Sequence, residues 1–551
     1  MPDVRLRSGP GRWILLATVL GSSVAMLDAT VVNVALPALG RDLGADVAGL
    51  QWTVNAYTLT LAGFILLGGS LGDRFGRRRI FLVGVVWFAV ASVLCGIAPN
   101  IETLILARAL QGAGGALLTP GSLAIIQASF AADDRPRAVG AWSGLGGVAG
   151  AVGPFAGGWL VEAAGWRWVF LLNVPLSAVV VLVAARHVPE SVDPEARGRF
   201  DILGAVLAAL ALAGTTYALT EAPGGGAAPP VITAAALAGL AAAVAFVLVE
   251  RMRGRGAHLP GARTGHPAPQ PMLPLDVFAS RQFSAVNVVT FIMYGAMGVL
   301  FFLFVLNLQV VGGFSPIAAG TALLPVTVLM LLLSARAGAL AQKIGPRRPM
   351  TAGMVVAAVG MLLVGRVGED SSYVRDVLPA VVVFGLGLSA VVAPLTATVL
   401  ATADARHAGV ASGVNNAVAR AAGLLAVAAI PPLTGLTGDA LNDPGEFAQG
   451  FRLAMVTCAA LLAAGAVLTF LTVGDDALRT PSGEAVEPEC RRHCGVGAPQ
   501  LQPERENVPA APPGGPGPGR QDLIGRAGAA TPGPNPAMSR TAAVRWHTVG
   551  A

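Results

Sequence analysis

Charge is scarce in this chain. Only 12% of its 551 residues are Asp, Glu, Lys or Arg, where a soluble globular chain carries about 25%. Hydrophobic residues make up 54%, so a soluble domain is excluded. Lysine is almost missing. Lys343 is the only one, and arginine carries the positive charge. With abundant Ala, Gly and Pro, that bias reads as a GC-rich genome and not as a functional trait. The net charge of +6 would suggest nucleic acid as a partner in a soluble protein; here it has another explanation, given below. There are four cysteines. Cys95 and Cys458 lie in apolar runs and Cys490 and Cys494 near the C-terminus, so no disulfide framework is expected. A Walker A phosphate loop is lacking, which excludes direct drive by ATP. Gly385 and Gly387 sit inside an apolar run without a βαβ unit, which excludes a dinucleotide fingerprint. Cys490, His493 and Cys494 are weak evidence for a metal, and none is expected. No catalytic constellation is present, so the chain reads as no enzyme. The short alternating segments of a membrane β-barrel are also missing.

What the chain does have is a succession of apolar runs of about 20 residues, the length that crosses a bilayer as a helix. Six come first: Trp13–Pro37, Leu50–Leu71, Ile80–Ala98, one from Ile101 past Pro120, Ala138–Val161 and Trp168–Ala185. Two more, Ile202–Leu219 and Val231–Val249, are rich in Ala and Leu. The last six are Phe283–Val310, Pro316–Leu340, Met350–Val367, Val377–Leu400, Gly409–Leu433 and Phe451–Val473. The sum is about fourteen spans. An even number places both termini on one side. The arginines fall in alternate loops, including Arg251, Arg253, Arg255 and Arg263. By the positive-inside rule, both termini are cytoplasmic. The first run follows Arg5, Arg7 and Arg12, is too long for a signal peptide and carries Asp28 and Asn33, so it reads as an uncleaved span.

Two basic turns repeat. Gly69–Arg79, GSLGDRFGRRR, aligns without a gap with Gly338–Arg348, GALAQKIGPRR. Each lies between apolar runs, so the chain is two similar halves. The expected divisions are residues 1–185 for a six-helix half, 186–281 for a linker with two extra spans and a basic cytoplasmic loop, 282–473 for the second half, and 474–551 for a disordered cytoplasmic tail rich in Pro, Gly and Arg. Asp73 and Arg74 of the first turn become Gln342 and Lys343 in the second, which predicts a weaker or different gate there.

Intramembrane charge is costly and is a functional candidate by default. Asp28 lies about 13 Å from the outer end of span 1, and Arg108 about 10 Å into span 4, at a rise of 1.5 Å per residue. At similar depth, the two can pair or share a polar cavity. One reading is that Asp28 takes up and releases a proton while Arg108 biases it; the other is a fixed ion pair that fastens span 1 to span 4. In span 5, Gly146, Gly150, Gly153 and Gly157 step by four, three and four, which puts them on one helix face suited to close packing. Pro154 in the same span can bend the helix. Arg420 sits near mid-membrane, either binding an anionic group or held as a structural charge. Arg336, near a span end, snorkels. Asn33, Asn55, Tyr57, Gln111, Asn287, Tyr294, Asn307 and Gln309 are polar groups that either line a substrate cavity with Arg420 or make interhelical contacts.

The Gly69–Arg79 turn resembles the loop between spans 2 and 3 of major facilitator superfamily transporters. Leu27–Pro37, LDATVVNVALP, resembles the span-1 motif of the fourteen-span drug:proton antiporters. Leu104–Gly115, LILARALQGAGG, resembles the superfamily's span-4 motif. The run of Gly150, Gly153, Pro154, Gly157 and Gly158 resembles the antiporter motif of exporters. Trp166–Pro175, WRWVFLLNVP, and Gly409–Ala417, GVASGVNNA, look like the same family. The resemblance covers Trp13–Val473 and implies the all-α major facilitator fold, two six-helix halves plus two central spans. It implies proton coupling by Asp28 and Arg108, and a cytoplasmic gate formed by Gly69, Asp73, Arg74, Gly76 and Arg78. It also implies export of lipophilic, often cationic drugs by alternating access, in exchange for protons and without a cofactor. The alternatives are a dedicated exporter of an endogenous metabolite or antibiotic, and a membrane sensor or scaffold without turnover. The expected partners are a small molecule, protons and the bilayer of the cell membrane, with no nucleic acid, and the chain is expected to act as a monomer.

Overall fold

The computed structural model describes residues 4–475 apart from 132, 193–200, 223–227, 257–272, 274 and 402–407, together with 478. The expected tail beyond this, with Cys490, His493 and Cys494, and most of the basic loop, with Arg263, lie outside the described residues. All described helices belong to one compact unit, Met1–Ser482.

The first six spans are α1 (Gly9–Leu43), α2 (Val47–Phe75), α3 (Arg77–Gly96), α4 (Ile101–Ser129), α5 (Arg135–Ala163) and the pair α6 (Arg167–Leu171) and α7 (Asn173–His187). Then come α8 (Ile202–Glu221) and α9 (Pro229–Gly256). The last six are α10 (Arg281–Val310), α11 (Pro316–Thr321) continuing as α12 (Leu324–Ile344), α13 (Arg347–Val364), α14 (Leu378–Ala401), α15 (Ala408–Leu433) and α16 (Pro444–Thr472). Thirteen of these spans are long and apolar enough to cross a membrane, and α2, bent by 48° between Ile65 and Leu67, makes fourteen when taken as one span. The expected count and all-helical class hold.

Local sequence starts these helices where it should. Four backbone N–H groups at each helix start have no intrahelical partner, and a short polar side chain can take one. Asp46 accepts from the Gly49 N–H at 2.8 Å and Asn100 from Thr103 at 2.9 Å. Ser280, Ser315 and Asp443 do the same for α10, α11 and α16.

The inserted pair does not stand between two separate bodies. Helix α8 packs on α2 of the first half and α15 of the second, and α9 packs outside it on α8. The α8–α9 crossing is tight because Gly214 faces Gly239, with room for no side chain. Leu237, Leu240 and Leu248 of α9 point away from the bundle, as lipid-facing residues do. Trp52 donates to Glu221 at 2.8 Å, tying α2 to the end of α8. At the other end Asp201 caps α8 through the Gly204 N–H and pairs with Arg253 of α9. Burial pushes the Asp201 pKa up, but its bonds to Arg253, Glu250 and Gly204 hold it below the usual carboxylate value.

The two basic turns are built alike. Gly76 and Gly345 both have positive φ, +110° and +87°, which favours glycine. Against each lies a carboxylate from the segment just after the last helix of its own half: Glu190 under Gly76 and Asp475 under Gly345. Glu190 accepts from the N–H groups of Arg78 and Arg79 at 3.1 and 3.2 Å, at the positive end of α3. The second turn therefore keeps a carboxylate at its glycine although it lacks the acid of Asp73. At the end of the bundle opposite these turns, hydrogen bonds join the halves. Gln51 donates to the Val427 carbonyl (2.7 Å), Gln309 to that of Val34 (3.0 Å), and the Ile317 N–H to Glu162 (2.9 Å).

Candidate functional site

Five spans converge on one buried carboxylate. Asp28 of α1 is 0% exposed and Arg108 of α4 is 1% exposed. They form an ion pair at 2.6 Å. The other carboxylate oxygen, Oδ1, accepts from Gln111 Nε2 at 2.9 Å and from Asn173 Nδ2 at 2.8 Å. Gln111 also donates to Ser92 (2.8 Å) and accepts from Arg108 (2.6 Å). The Arg108 Nε donates to the Thr53 carbonyl of α2 at 3.0 Å. The guanidinium lies 4.3 Å from the Tyr57 ring centroid, close enough for a cation–π contact. Both Asp28 oxygens act only as acceptors, the pattern of an ionised carboxylate.

Glycines make this convergence possible. A side chain at Gly112 would strike Thr60 and the Tyr57 carbonyl, and one at Gly114 would strike Phe88. Helix α4 therefore lies directly against α2 and α3, so that Thr53, Tyr57 and Ser92 reach Arg108 and Gln111. The pair expected between Asp28 and Arg108 is present. Asn173 and Ser92 were not expected. Asn173 opens α7 inside a stretch singled out as a motif, but a lone amide beside an apolar run gives no sign of its partner.

The polar residues proposed for a substrate cavity separate into three groups. Asn33, Asn55, Tyr294 and Arg420 line one cavity of about 220 Å³, between α1 and α2 of one half and α10 and α15 of the other. Tyr57 and Gln111 belong instead to the Asp28 cluster, because the Tyr57 ring lies against Arg108 while its hydroxyl donates to the Ala25 carbonyl, and the Gln111 amide is taken up by Asp28. Asn307 is fully buried and donates to the Val367 carbonyl at 2.9 Å, so it is an interhelical contact and lines none of the cavities described. Asn287 and Gln309 are likewise held by backbone carbonyls. A second cavity of about 220 Å³ shares Asn33 and Phe301 with the first and is otherwise almost wholly apolar. Gly150 and Pro154 of α5 line it.

The α5 glycines face two neighbours. Gly146, Gly153 and Gly157 abut Met26, Thr30 and Val31 of α1, the helix that carries Asp28. Gly158 abuts Pro316 and Ile317 of α11, across the two halves. At the basic turn, Asp73 pairs with Arg77 at 2.7 Å. Arg78 donates to the Val188 carbonyl at 3.1 Å and approaches Glu190 at 3.8 Å. Arg74 lies over the Phe75 ring. A side chain at Gly69 would make ordinary contact with Pro120, and its neighbour Gly68 lies close against the Ala116 carbonyl of α4.

Comparison with known proteins agrees with this architecture. The model of the Major Facilitator Superfamily matches residues 18–428. A puromycin resistance protein from Streptomyces alboniger is 35% identical over 482 residues, covering 84% of this chain and 92% of its own. A tetracenomycin C resistance and export protein from Streptomyces glaucescens is 33% identical over 445 residues, covering 80% and 79%. Among solved structures, a POT family transporter in complex with 5-aminolevulinic acid superposes with a TM-score of 0.62 at 11% identity, over 87% of this chain and 99% of that one, a likeness of fold. With the family model matched over most of both halves and the fold in agreement, this chain belongs to the Major Facilitator Superfamily and is a membrane transporter, not an enzyme.

Proposed function

We propose that the protein is an efflux transporter that exports lipophilic small molecules across the cell membrane in exchange for protons. The observation that carries this reading is the Asp28–Arg108 pair, buried within the bundle and beside the cavity between the halves. A charge pair in an apolar bundle is costly. With Asp28 on α1, which also lines the cavity, and Arg108 bonded to α2, which lines it too, the pair can report substrate occupancy to a proton site. Thr53 and Tyr57 of α2 touch Arg108, while Asn55 and Thr58 of the same helix line the cavity. A movement of α2 on binding therefore acts on both.

In this reading the ionised Asp28 is held by Arg108, Gln111 and Asn173. Protonation neutralises the carboxylate and weakens its hold on Arg108. The cluster then loosens, and α1, α2 and α4 can shift relative to one another. Loss of the proton on the cytoplasmic side restores the pair. Gly158 against α11 lets the halves meet without a side-chain clash, while Gly146, Gly153 and Gly157 bring α5 close to α1 within the first half. The Asp73–Arg77 turn, anchored by Glu190, sits at the cytoplasmic end and serves as the gate. Both termini are cytoplasmic, from the distribution of arginine. The names of the two relatives, one for resistance and one for resistance and export, support export over uptake.

The test uses everted membrane vesicles from pump-deficient cells, with a proton gradient imposed. Accumulation of tetracenomycin C, puromycin and ethidium is followed with and without a protonophore. Accumulation by the wild type that collapses with the protonophore supports the reading. Accumulation of several unlike compounds marks a multidrug exporter, and of one a dedicated exporter. No accumulation of any compound, or accumulation indifferent to the protonophore, contradicts proton-coupled efflux.

A further inference from the structure

Arg420 lies midway along α15. Among the described residues it makes no hydrogen bond or ion pair, and its Nε is buried without an acceptor. Arg108, by contrast, has a carboxylate, an amide oxygen and a backbone carbonyl. The difference is not one of crowding, because Arg420 opens onto the cavity of about 220 Å³. Asn55, only 1% exposed, faces the same cavity with its Nδ2 unpaired. The Asn33 Oδ1 there is a buried acceptor without a donor. Two donors and one acceptor are thus left open on a wall formed otherwise by Thr58, Tyr294, Met297, Phe301, Phe302 and small or aliphatic residues. No acidic residue lines the cavity among the described residues.

A buried donor without an acceptor, above all a charged one, is stable only if something else fills the role. We propose that Arg420 and Asn55 form an anion-binding subsite, and that the exported molecules are aromatic or lipophilic compounds bearing an acidic group, such as a carboxylate, sulfonate or phenolate. The guanidinium fork takes two oxygens of one group. Asn55 supplies a further donor from the opposite half, so the ligand bridges the halves. Asn33 accepts from a hydroxyl or amine elsewhere on the ligand. The apolar second cavity, joined at Asn33 and Phe301, takes the ring system. This rests on the transport reading above and departs from the often cationic drugs that the family resemblance implied.

The test is equilibrium binding to the purified full-length protein in detergent, followed by probe fluorescence. The probes are anilinonaphthalene sulfonate and N-phenylnaphthylamine, which share a ring skeleton and differ in the acidic group. The wild type is expected to bind the sulfonate more tightly than the uncharged amine. Arg420→Gln is expected to weaken sulfonate binding about tenfold or more and to leave amine binding unchanged. Arg420→Lys, which keeps the charge, is expected to retain part of the preference. Equal binding of the two probes by the wild type overturns the proposal, and needs no variant to fold. Loss of both probes in Arg420→Gln, with the fold intact by thermal unfolding, also overturns it and makes Arg420 a structural charge. Because binding is read without flux, failure of proton-coupled export leaves a different result: selective binding in vesicles that accumulate nothing.

Discussion

Gln111 and Asn173 donate to the same oxygen of Asp28, from α4 and from the first turn of α7. Arg108 holds the other oxygen. The acid is therefore shared by two spans besides its own, and any proton it accepts has consequences for all three.

The amide of Asn173 is expected to matter for coupling and little for substrate binding. A hydrogen bond to a charged group contributes about 1.5–3 kcal/mol. Asn173→Ala should reduce proton-driven accumulation in everted vesicles by about tenfold or more, with probe binding to the purified protein close to wild type. Equal loss of binding and accumulation would place Asn173 in the binding site instead.

Neutralising Arg108 alone leaves Asp28 buried without its counter-ion. Arg108→Gln is expected to destabilise the protein by about 3–5 kcal/mol. The double variant Asp28→Asn with Arg108→Gln removes both charges and should recover most of that loss. Thermal unfolding midpoints of the purified variants check this. A double variant as unstable as Arg108→Gln would show that the pair is not the source.

Two glycines of α5 should respond in opposite ways. A Cβ at Gly158 would lie 2.5 Å from the Pro316 carbonyl oxygen and 2.6 Å from the Ile317 Cα, both backbone atoms of the other half. Gly158→Ala is expected to cost about 1–3 kcal/mol and to abolish accumulation. A Cβ at Gly150 meets nothing within 4 Å, so Gly150→Ala should stay within about 0.5 kcal/mol of wild type. Expression level, unfolding midpoint and vesicle accumulation read the contrast.

At the basic turn, Glu190 holds the start of α3 through the amides of Arg78 and Arg79. Hydrogen exchange at those two amides should speed up in Glu190→Ala. It should stay unchanged in Asp73→Asn, because Asp73 bonds the Arg77 side chain and not those amides. The reverse pattern would assign the anchor to Asp73.

Much of this architecture is legible in the sequence because membrane spans announce themselves by length and apolarity. The two repeated turns disclose the halves, and the depth of Asp28 and Arg108 in oppositely directed spans anticipates their pairing. The glycines of α5 fall on one face by spacing alone, and Gly146, Gly153 and Gly157 do meet α1. What stays hidden is which uncharged polar side chain meets which. Asn33, Asn55, Tyr57, Gln111 and Asn307 look alike in sequence, as amides or hydroxyls within apolar runs. Their allocation depends on helix rotation and on approaches such as Gly112 against Tyr57. Glu190 and Asp475 are hidden for a related reason. Each lies beyond the last helix of its half, far in sequence from the glycine it supports.

Proton movement coupled to substrate through Asp28 is the central claim, and proteoliposomes with a trapped pH-sensitive dye test it most directly. Tetracenomycin C is added to vesicles holding an imposed pH gradient, with wild type or Asp28→Asn protein at equal density. The account expects substrate to dissipate the gradient with the wild type and to leave it intact with Asp28→Asn. Substrate-driven proton flux through Asp28→Asn equal to that of the wild type would contradict it.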